Sequence, residues 1–337
     1  MRHSLSIVIP VYNERGSIAE TVRAACEALK EEPKFDAEIV VVDDGSTDGT
    51  ADALEGFDGQ VPVRVLRQDN AGRFAARARG LAEVRGDYVL FLDARVRILP
   101  GAFEFLAERV GNGDGNVWNA HCVIEQEGNP YGVFWNVLTE IAFSSYFDEP
   151  RTTSFDAESF ERFPKGTTCF FAPRADLADA FGGFSTRYAE QRFANDDTPI
   201  IRALASRGPI GISPGFACSY RPRDSAVPFL RHAVHRGIVF LDGHGRRESG
   251  FFPLVVGFYP LSALAAALVV RKPLALPALF AATSLAAAAI AAAKKRTPRE
   301  TAIFAALAPV YAAAHGAGMW RGAALLAAAR ARRNPLK

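Results

Sequence analysis

The sequence has few of the residues that build disulfide frameworks or structural zinc sites. Four cysteines occur in 337 residues, and no two of them form a Cys-x-x-Cys pair. This spacing excludes the common zinc-binding motifs. We expect the thiols to be small buried groups in a reducing compartment. They are Cys26, Cys122, Cys169 and Cys218.

A secretory signal peptide and internal repeats are also absent. The N-terminal stretch "MRHSLSIVIPVYNE" has an apolar run that is too short and too β-branched for a signal peptide. No fixed period indicates a repeat array. We therefore expect a cytoplasmic body, and hydrophobic residues, at 49% of the chain, are sufficient to build its core.

The net charge is only +2, but the charges are unevenly distributed. Residues 271–337 carry eleven Lys and Arg and one acid, Glu300, whereas residues 1–270 carry 28 basic and 36 acidic residues. Such asymmetry indicates an anionic surface near the C-terminal region, either nucleic acid or lipid headgroups. The basic residues lie between long apolar runs with few aromatic residues, which favours membrane lipids and no nucleic acid.

Short apolar runs rich in β-branched residues alternate with helical patterns over the first hundred residues. The predicted strands are "LSIVIPVYN", "AEIVVVDDGS", "VPVRVLRQD" and "DYVLFLDA". Continuous apolar strands separated by helices are typical of a mostly parallel sheet that is covered on both faces.

The first predicted helix is "SIAETVRAACEALKEE". Ser17 and Glu20 have the spacing of a capping box at its start. Its apolar residues recur at helical spacing and predict one buried face. That face consists of Ile18, Val22, Ala25, Cys26 and Leu29.

Polar clusters follow three of the predicted strands, at residues 12–14, 43–46 and 93–95. Ligands of open parallel sheets bind at the carboxyl ends of the strands. The three clusters therefore predict a ligand site, although loops are polar in proteins generally.

Three apolar stretches, 251–270, 273–293 and 302–320, follow in the C-terminal region. The first two are uncharged over about the 20 residues that a membrane-spanning helix needs. The third is weaker, since it contains Pro309, His315 and two glycines. Three spans would place "RARR" outside the cell, against the positive-inside rule, whereas a hairpin with an interfacial third segment would keep it inside. Both topologies stay open.

Several motifs of the first hundred residues form a recognisable series. "SIVIPVYNE", "VVVDDGSTDGT", "NAGRFAARARG" and "GDYVLFLDA" occur in this order within residues 4–100, and "GGFSTRYAEQRFANDDTPIIRALASRG" follows later. Together they resemble the family-two glycosyltransferases, which have the GT-A fold.

The resemblance implies an α/β fold of Rossmann-like GT-A type, with a mostly parallel sheet and C-terminal α-helical transmembrane segments. Residues 1–225 would form the GT-A domain, divided into a nucleotide-binding part, 1–100, and an acceptor part, 101–225. Residues 226–250 would be a basic juxtamembrane segment. Residues 251–330 would be a membrane region of two or three helices.

The function that the resemblance implies is inverting glycosyl transfer at a membrane. The donor would be a UDP- or GDP-linked sugar, and the acceptor a lipid-linked molecule or a polysaccharide of the cell envelope. The chain would lie in the inner membrane with its catalytic domain in the cytoplasm. The alternative is a non-catalytic scaffold that binds a nucleotide-sugar and keeps the fold.

The resemblance also implies donor-binding residues. The loop that lines the nucleoside matches Pro10, Tyr12 and Glu14. The acid that hydrogen-bonds the base matches Asp44, with Asp43 beside it. Arg77 matches the Arg of the family's Ala-Arg-Asn block, in which Ala78 replaces the Asn.

Catalysis would depend on the acids of "NDDTPIIRALASRG". Asp197 matches the family's general base, and Asp196 replaces the Glu that precedes it. An acceptor hydroxyl is a poor nucleophile and needs a carboxylate to take its proton. A structural explanation also exists, because acids in the first turn of a helix are stabilised by its dipole.

Asp93 matches the first acid of the family's metal-binding Asp-x-Asp, whose second acid is replaced by Arg95. Mg²⁺ or Mn²⁺ could still bind, since Mg²⁺ needs one or two protein carboxylates plus substrate phosphates. Arg95 could instead contact the diphosphate by bidentate hydrogen bonds, or be a solvated residue. Weakened metal binding, metal-independent chemistry and an inactive site therefore all stay open.

A basic cluster precedes the apolar stretches in "SYRPRDSAVPFLRHAVHRG". Related membrane-bound members carry a block here that closes over the diphosphate, and His235 and Arg236 are the candidates for that role. The alternative for both residues is contact with anionic lipid.

Residues 149–166, "EPRTTSFDAESFERFPKG", are mostly polar and predict a mobile loop. The loop would be either a lid over the acceptor or a simple connection. It falls in the predicted acceptor part of the chain.

Overall fold

The computed structural model describes residues 2–57, 59, 61–113 and 117–333, without the side chains of residues 332 and 333. The chain divides into two compact units. The sheet unit comprises the described residues of 1–123, 145–185 and 196–221. The helical unit comprises those of 124–144, 186–195 and 222–333. The units therefore interleave along the chain, whereas the sequence predicts consecutive segments that divide at residues 225 and 250.

The sheet contains nine strands within the described residues, in the order β3-β2-β1-β4-β8-β6-β9-β5, with β7 paired to β9. They are β1 (His3–Val11), β2 (Phe35–Asp43), β3 (Val63–Arg67), β4 (Tyr88–Leu92), β5 (Val96–Ile98), β6 (Trp118–Ile124), β7 (Thr153–Phe155), β8 (Cys169–Pro173) and β9 (Ile210–Tyr220). Strands β3, β2, β1 and β4 are parallel to one another. Strand β8 joins β4 antiparallel, so the later strands make the sheet mixed.

Helices cover both faces of this sheet, as its apolar strands predict. They are α1 (Ile18–Lys30), α2 (Arg73–Glu83), α3 (Ala102–Asn112), α6 (Arg174–Gly182) and α7 (Thr198–Ala205). One core layer contains residues of α1 and α3, and the other contains residues of α2, α6 and α7. Strand β1 alternates between the layers, because Ile7 and Ile9 lie in the first and Val8 in the second.

Helix α1 confirms its predicted face but not its predicted cap. The five predicted residues are all buried. Ser17 is at the N-cap without a capping hydrogen bond, because its hydroxyl turns back to Glu14. Glu20 pairs with Arg97 of β5 and so does not complete a capping box. The cysteines are free thiols, and three are buried while Cys122 is half-buried.

Helix α2 comes unusually close to the sheet at Gly80. A methyl group there would lie 3.2 Å from Cγ2 of Val42 and would also collide with Val8. Only glycine fits without displacing the helix. This contact fixes the height of α2 above β1 and β2, and with it the position of Arg77 one turn earlier.

The segment 149–166 is anchored, contrary to the prediction of a mobile loop. It contains β7, which pairs with β9, and the fully buried rings of Phe155 and Phe160. Lys165 donates to the carbonyl oxygen of Phe163 at 3.1 Å. The polar pattern conceals these anchors because only a few aromatic side chains of the segment carry the packing.

The helical unit is built from α4 (Pro130–Ala142), α8 (Ala226–His244), α9 (Phe252–Arg271), α10 (Ala275–Ala293) and α11 (Pro298–Arg333), and the short α5 (Ser144–Phe147) begins at its edge. Aromatic residues of α4, α8 and α11 form its core, including Phe134, Phe229 and Phe304. Among the described residues, three helices are long and apolar enough to cross a membrane, α9, α10 and α11. All three predicted apolar stretches are therefore helical.

Candidate active site

The polar residues that follow β1 and β2 lie together, as the sheet topology predicts. The amide of Asn13 donates to Oγ of Ser46 at 2.9 Å, and the amide of Glu14 donates to Oγ1 of Thr50 at 2.9 Å. Asn13 has a φ of 53°, a left-handed conformation that asparagine tolerates. The two loops thus form one connected surface at the carboxyl end of the sheet.

The predicted nucleoside-binding residues differ in their accessibility. Tyr12 is 48% exposed, so its ring can receive a ligand. Pro10 instead lies inside β1 and is buried, so it is part of the strand and not of the loop. The Asp43 carboxylate is buried and accepts the amide of Ser46 at 2.9 Å, which stabilises the turn after β2.

Asp44 holds the loop that leads into α2. Its buried carboxylate accepts hydrogen bonds from the amides of Ala71 at 2.9 Å and Gly72 at 2.8 Å, and from Nε2 of Gln68 at 2.7 Å. Gly72 has a φ of 95°, which favours glycine. Three of about four acceptor positions of the carboxylate are therefore used within the chain. Its contact with a nucleotide base stays a prediction.

A buried guanidinium lies at the centre of the site. Nη2 of Arg77 is 2.6 Å from Oδ1 of Asp93. Nη1 of Arg77 pairs with Asp196 and lies 3.5 Å from Oδ1 of Asp197. Arg77 is 1% exposed, and we call its three acids the carboxylate cluster. One helix, the end of β4 and the start of α7 are thereby joined by ion pairs.

The carboxylate cluster is exposed on one side. The side chain of Asp197 is 33% exposed, while that of Asp196 is buried. Arg73 is at the start of α2. Its Nη2 lies 3.4 Å from Oδ1 of Asp196, and its side chain is 46% exposed. The site thus exposes the Asp197 carboxylate and the Arg73 guanidinium to solvent, beside the buried ion pairs of Arg77.

The two neighbouring aspartates have opposite pKa shifts. Burial tends to raise the pKa of Asp197, but Arg77, Arg73 and the hydrogen bonds from Thr167 hold it below its ordinary value. The hydroxyl of Thr167 donates to Oδ1 of Asp197, and the Thr167 amide lies 3.4 Å from the same atom. Burial raises the pKa of Asp196, and the two arginines offset this only in part. Asp197 is therefore the ionised, accessible carboxylate of the pair.

Helix capping does not explain these acids. Asp197 is the N-cap of α7 but makes no capping hydrogen bond, and Asp196 precedes the cap. The helix-dipole interpretation requires acids in the first turn of α7, and neither acid lies there. Their carboxylates are instead committed to Arg77, Arg73 and Thr167.

Arg95 forms an ion pair that the sequence did not indicate. Its Nε is 2.8 Å from Oε2 of Glu14, whose side chain is almost fully buried. Arg95 is therefore not simply a solvated residue, and its contact with the diphosphate stays a prediction. The same pair engages the carboxylate of Glu14, which the resemblance assigned to the nucleoside pocket.

The site does not fit a metal ion that is held by protein ligands alone. Within the described parts of the chain, no group of three or more His, Cys, Asp and Glu could hold one. Asp93 already has the Arg77 guanidinium 2.6 Å from its Oδ1, and position 95 supplies a cation in place of a ligand. A second cation at Asp93 would be repelled by Arg77.

His235 and Arg236 belong to α8 of the helical unit. The guanidinium of Arg236 lies 5.0 Å from the centre of the Trp135 ring, within the range of a cation–π contact. Both Arg236 and Trp135 are in the helical unit. The closure of His235 and Arg236 over a diphosphate stays a prediction.

Two residues of the site were missed by the sequence analysis. Arg73 lies four positions before Arg77 on the same helix face, so the spacing of the two could have indicated it. Thr167 has no sequence signal, because a threonine shortly before a strand is common. Only the fold brings it to Asp197, 30 positions later.

The family model "Glycosyl transferase family 2" matches residues 6–180. The undecaprenyl-phosphate 4-deoxy-4-formamido-L-arabinose transferase of Pseudomonas fluorescens (strain SBW25) is 41% identical over 117 residues, which are 33% of either chain. The enzyme of the same name from Enterobacter sp. (strain 638) is 38% identical over 117 residues, 33% of this chain and 35% of that one. The match thus spans about a third of the length of these curated relatives.

The structure of S. aureus TarS 1–349 in complex with UDP-GlcNAc has a TM-score of 0.53 to this chain. The sequences are 16% identical, and the match covers 98% of this chain and 92% of that one. This likeness shows the fold, and it agrees with the predicted α/β class. The family model covers more than half of the chain, from β1 through β8. The chain therefore belongs to glycosyl transferase family 2.

Proposed function

We propose that the protein is a membrane-anchored, inverting glycosyltransferase. It moves a sugar from a UDP- or GDP-sugar to a lipid-linked or polysaccharide acceptor of the cell envelope. The observation that carries the proposal is the ionised, partly exposed Asp197 held by Arg77 and Thr167 at the carboxyl end of a family-2 sheet. The names of the relatives support an acceptor on a lipid carrier.

The reaction is a displacement at the anomeric carbon of the donor sugar. The acceptor oxygen forms a bond to this carbon while the bond to the diphosphate oxygen breaks, and attack from the opposite side inverts the configuration. Asp197 takes the proton of an acceptor hydroxyl, and the electron pair of the broken bond leaves with the nucleoside diphosphate. Its low pKa keeps Asp197 ionised at neutral pH, which is the form that can accept that proton.

The donor nucleoside would bind beside the loops after β1 and β2. Tyr12 offers an exposed ring there, and the acids at positions 43 and 44 shape the adjacent turn. The diphosphate would then lie near the start of α2, beside the carboxylate cluster. This arrangement places the leaving group and Asp197 at one site.

We also propose that α9 and α10 cross the membrane as a hairpin while α11 lies at its surface. Helix α11 packs along α8, α10 and α4, and a methyl group on Gly237 of α8 would lie 2.9 Å from Cα of Gly318. Five positions after Gly237 in the same helix, Asp242 accepts the amides of Arg187 and Asn195 at 2.9 Å.

Two contacts of α11 support the same topology. Arg296, just before α11, pairs with Glu140 of α4. Arg321, within α11, lies 5.6 Å from the ring of Phe193, in the polar segment 186–195. Charged groups are costly in hydrocarbon, so these contacts favour a position of α11 outside it. Residues 294–297 and the basic C-terminal end of α11 then share the cytoplasmic side, in agreement with the positive-inside rule.

Replacing Asp197 by Asn tests the assigned base. With a hydroxyl acceptor, kcat should fall at least about 100-fold, because general-base catalysis contributes about 10²–10⁴. Calorimetry should show UDP or GDP binding nearly unchanged. The control is Asp179→Asn, which removes an exposed carboxylate paired with Arg207 and should leave kcat unaltered. Unchanged transfer, or loss of nucleotide binding, would refute the role.

Replacing Thr167 by Val tests the pKa assignment. Burial and the arginines remain, but the hydrogen bonds that lower the pKa of Asp197 weaken, so this pKa should rise. Activity requires the ionised base and is lost as the pH falls through its pKa, so the acidic limb of the kcat profile should move to higher pH. The shift should be about one to two units, since a hydrogen bond to a charged group contributes about 1.5–3 kcal/mol. Thr168→Val is the control, and an unmoved limb in Thr167→Val contradicts the assignment.

Cysteine labelling tests the topology. In a chain with its four cysteines replaced by Ala, single cysteines are introduced in place of Lys272, Lys295 and Ala331 and exposed to an impermeant maleimide on intact spheroplasts. Lys272→Cys should react from outside, because it lies between α9 and α10. Lys295→Cys and Ala331→Cys should react only after lysis. Labelling of Ala331→Cys from outside would mean that α11 crosses the membrane.

A further inference from the structure

The positive charges at this site are arginine side chains of the chain itself. Where the family pattern has its second acid, the chain has Arg95. The Nε of Arg95 forms an ion pair with Glu14. Two other arginines reach the carboxylate cluster from one face of α2, Arg73 and Arg77. Their charges occupy the region in which a divalent cation would otherwise bridge protein and diphosphate.

These two arginines differ in what they can offer a ligand. Arg77 is 1% exposed and has both terminal nitrogens on carboxylates, so it serves the interior of the site. Arg73 is 46% exposed, and its Nη2 lies 3.4 Å from Oδ1 of Asp196, its ion-pair partner among the described residues. The charges of Asp197 and Asp93 also act on it. A guanidinium has five N–H donors, so this one ion pair leaves donors that a ligand can use.

We infer that Arg73 binds the diphosphate of the donor and neutralises the leaving group in place of a metal ion. The inference rests on the proposed function and adds to it the group that receives the departing charge. When the bond between the anomeric carbon and the diphosphate oxygen breaks, its electron pair stays on that oxygen. The fixed guanidinium of Arg73 hydrogen-bonds this oxygen, while Asp197 holds the acceptor proton.

The surroundings of Arg73 favour an anionic ligand. Arg73 is the first residue of α2, an eleven-residue helix whose positive end therefore faces the same region. Asp44 fixes the preceding turn through the amides of Ala71 and Gly72, so Arg73 begins from a rigid backbone. A planar guanidinium suits two phosphate oxygens at once. Because Asp196 lies behind it, the side chain is already oriented before the ligand arrives.

The replacement of an acid by Arg95 is consistent with this role. It removes a potential metal ligand next to Asp93, and its pairing with Glu14 ties the loop after β1 to the end of β4. The chain thus keeps the geometry of the loop while losing the second carboxylate. The negative charge of the donor diphosphate is then neutralised by the arginines of α2.

The test uses the detergent-purified full chain with UDP and GDP as probes, in EDTA and in Mn²⁺. The protein should bind its nucleotide with a Kd that differs less than about threefold between the two conditions. Arg73→Gln should raise this Kd about tenfold and lower kcat about 100-fold, the loss typical of removing one preorganised donor to a developing anion. Arg73→Lys should recover part of the kcat because the positive charge returns.

Arg79→Gln is the matched control. Arg79 is on the same helix but donates to the carbonyl oxygen of Arg67 at 2.8 Å, so its loss should leave Kd and kcat within about twofold. Unfolding midpoints are measured for all variants, because Arg73 also pairs with the buried Asp196. Nucleotide binding that requires Mn²⁺, or an Arg73→Gln variant equal to the unaltered protein, overturns the inference. If neither UDP nor GDP binds under any condition, the proposed function itself fails.

Discussion

The site depends on one buried guanidinium and its three carboxylates. A charge without water is costly unless it is paired and hydrogen-bonded, so Arg77 must keep Asp93, Asp196 and Asp197 around it. These acids come from the end of β4 and the start of α7, and Arg77 comes from α2. The close approach of α2 at Gly80 sets the position of the guanidinium. The ion pairs therefore convert a common α/β scaffold into a fixed arrangement of charges at the carboxyl end of its parallel strands.

The same ion pairs decide which chemistry the residues can perform. Arg77, Arg73 and Thr167 stabilise the ionised form of Asp197 against burial, while Asp196 is committed to the two guanidinium groups. One carboxylate of the pair is thus free to meet an acceptor, and the other holds the arginines in place. Asp93 is already paired with the guanidinium of Arg77. Its negative charge is therefore balanced, although position 95 lacks the second acid.

Much of the fold followed from the sequence, because periodicity and strand composition are local properties. The parallel strands, the buried face of α1 and the three apolar helices were all predicted correctly. The ion pairs were not, since Arg77 and Asp196 are 119 positions apart and only tertiary structure brings them together. Competition among charged partners explains one further difference, because Glu20 pairs with Arg97 instead of capping α1. The ion pair between Arg95 and Glu14 also had no signal in the sequence. The interleaving of the two units also has no local sequence signal.

A double-mutant cycle between Arg77 and Asp196 tests the central claim most directly. Trp118 lies in the sheet unit, so it reports denaturant unfolding of that unit when Trp135 and Trp320 are replaced by Phe. Arg77→Gln alone should cost about 3–5 kcal/mol of unfolding free energy, because it leaves buried carboxylates without their cation. In the Asp196→Asn background the same change should cost at least about 1 kcal/mol less. Effects of the two substitutions that add within about 0.5 kcal/mol would contradict the account.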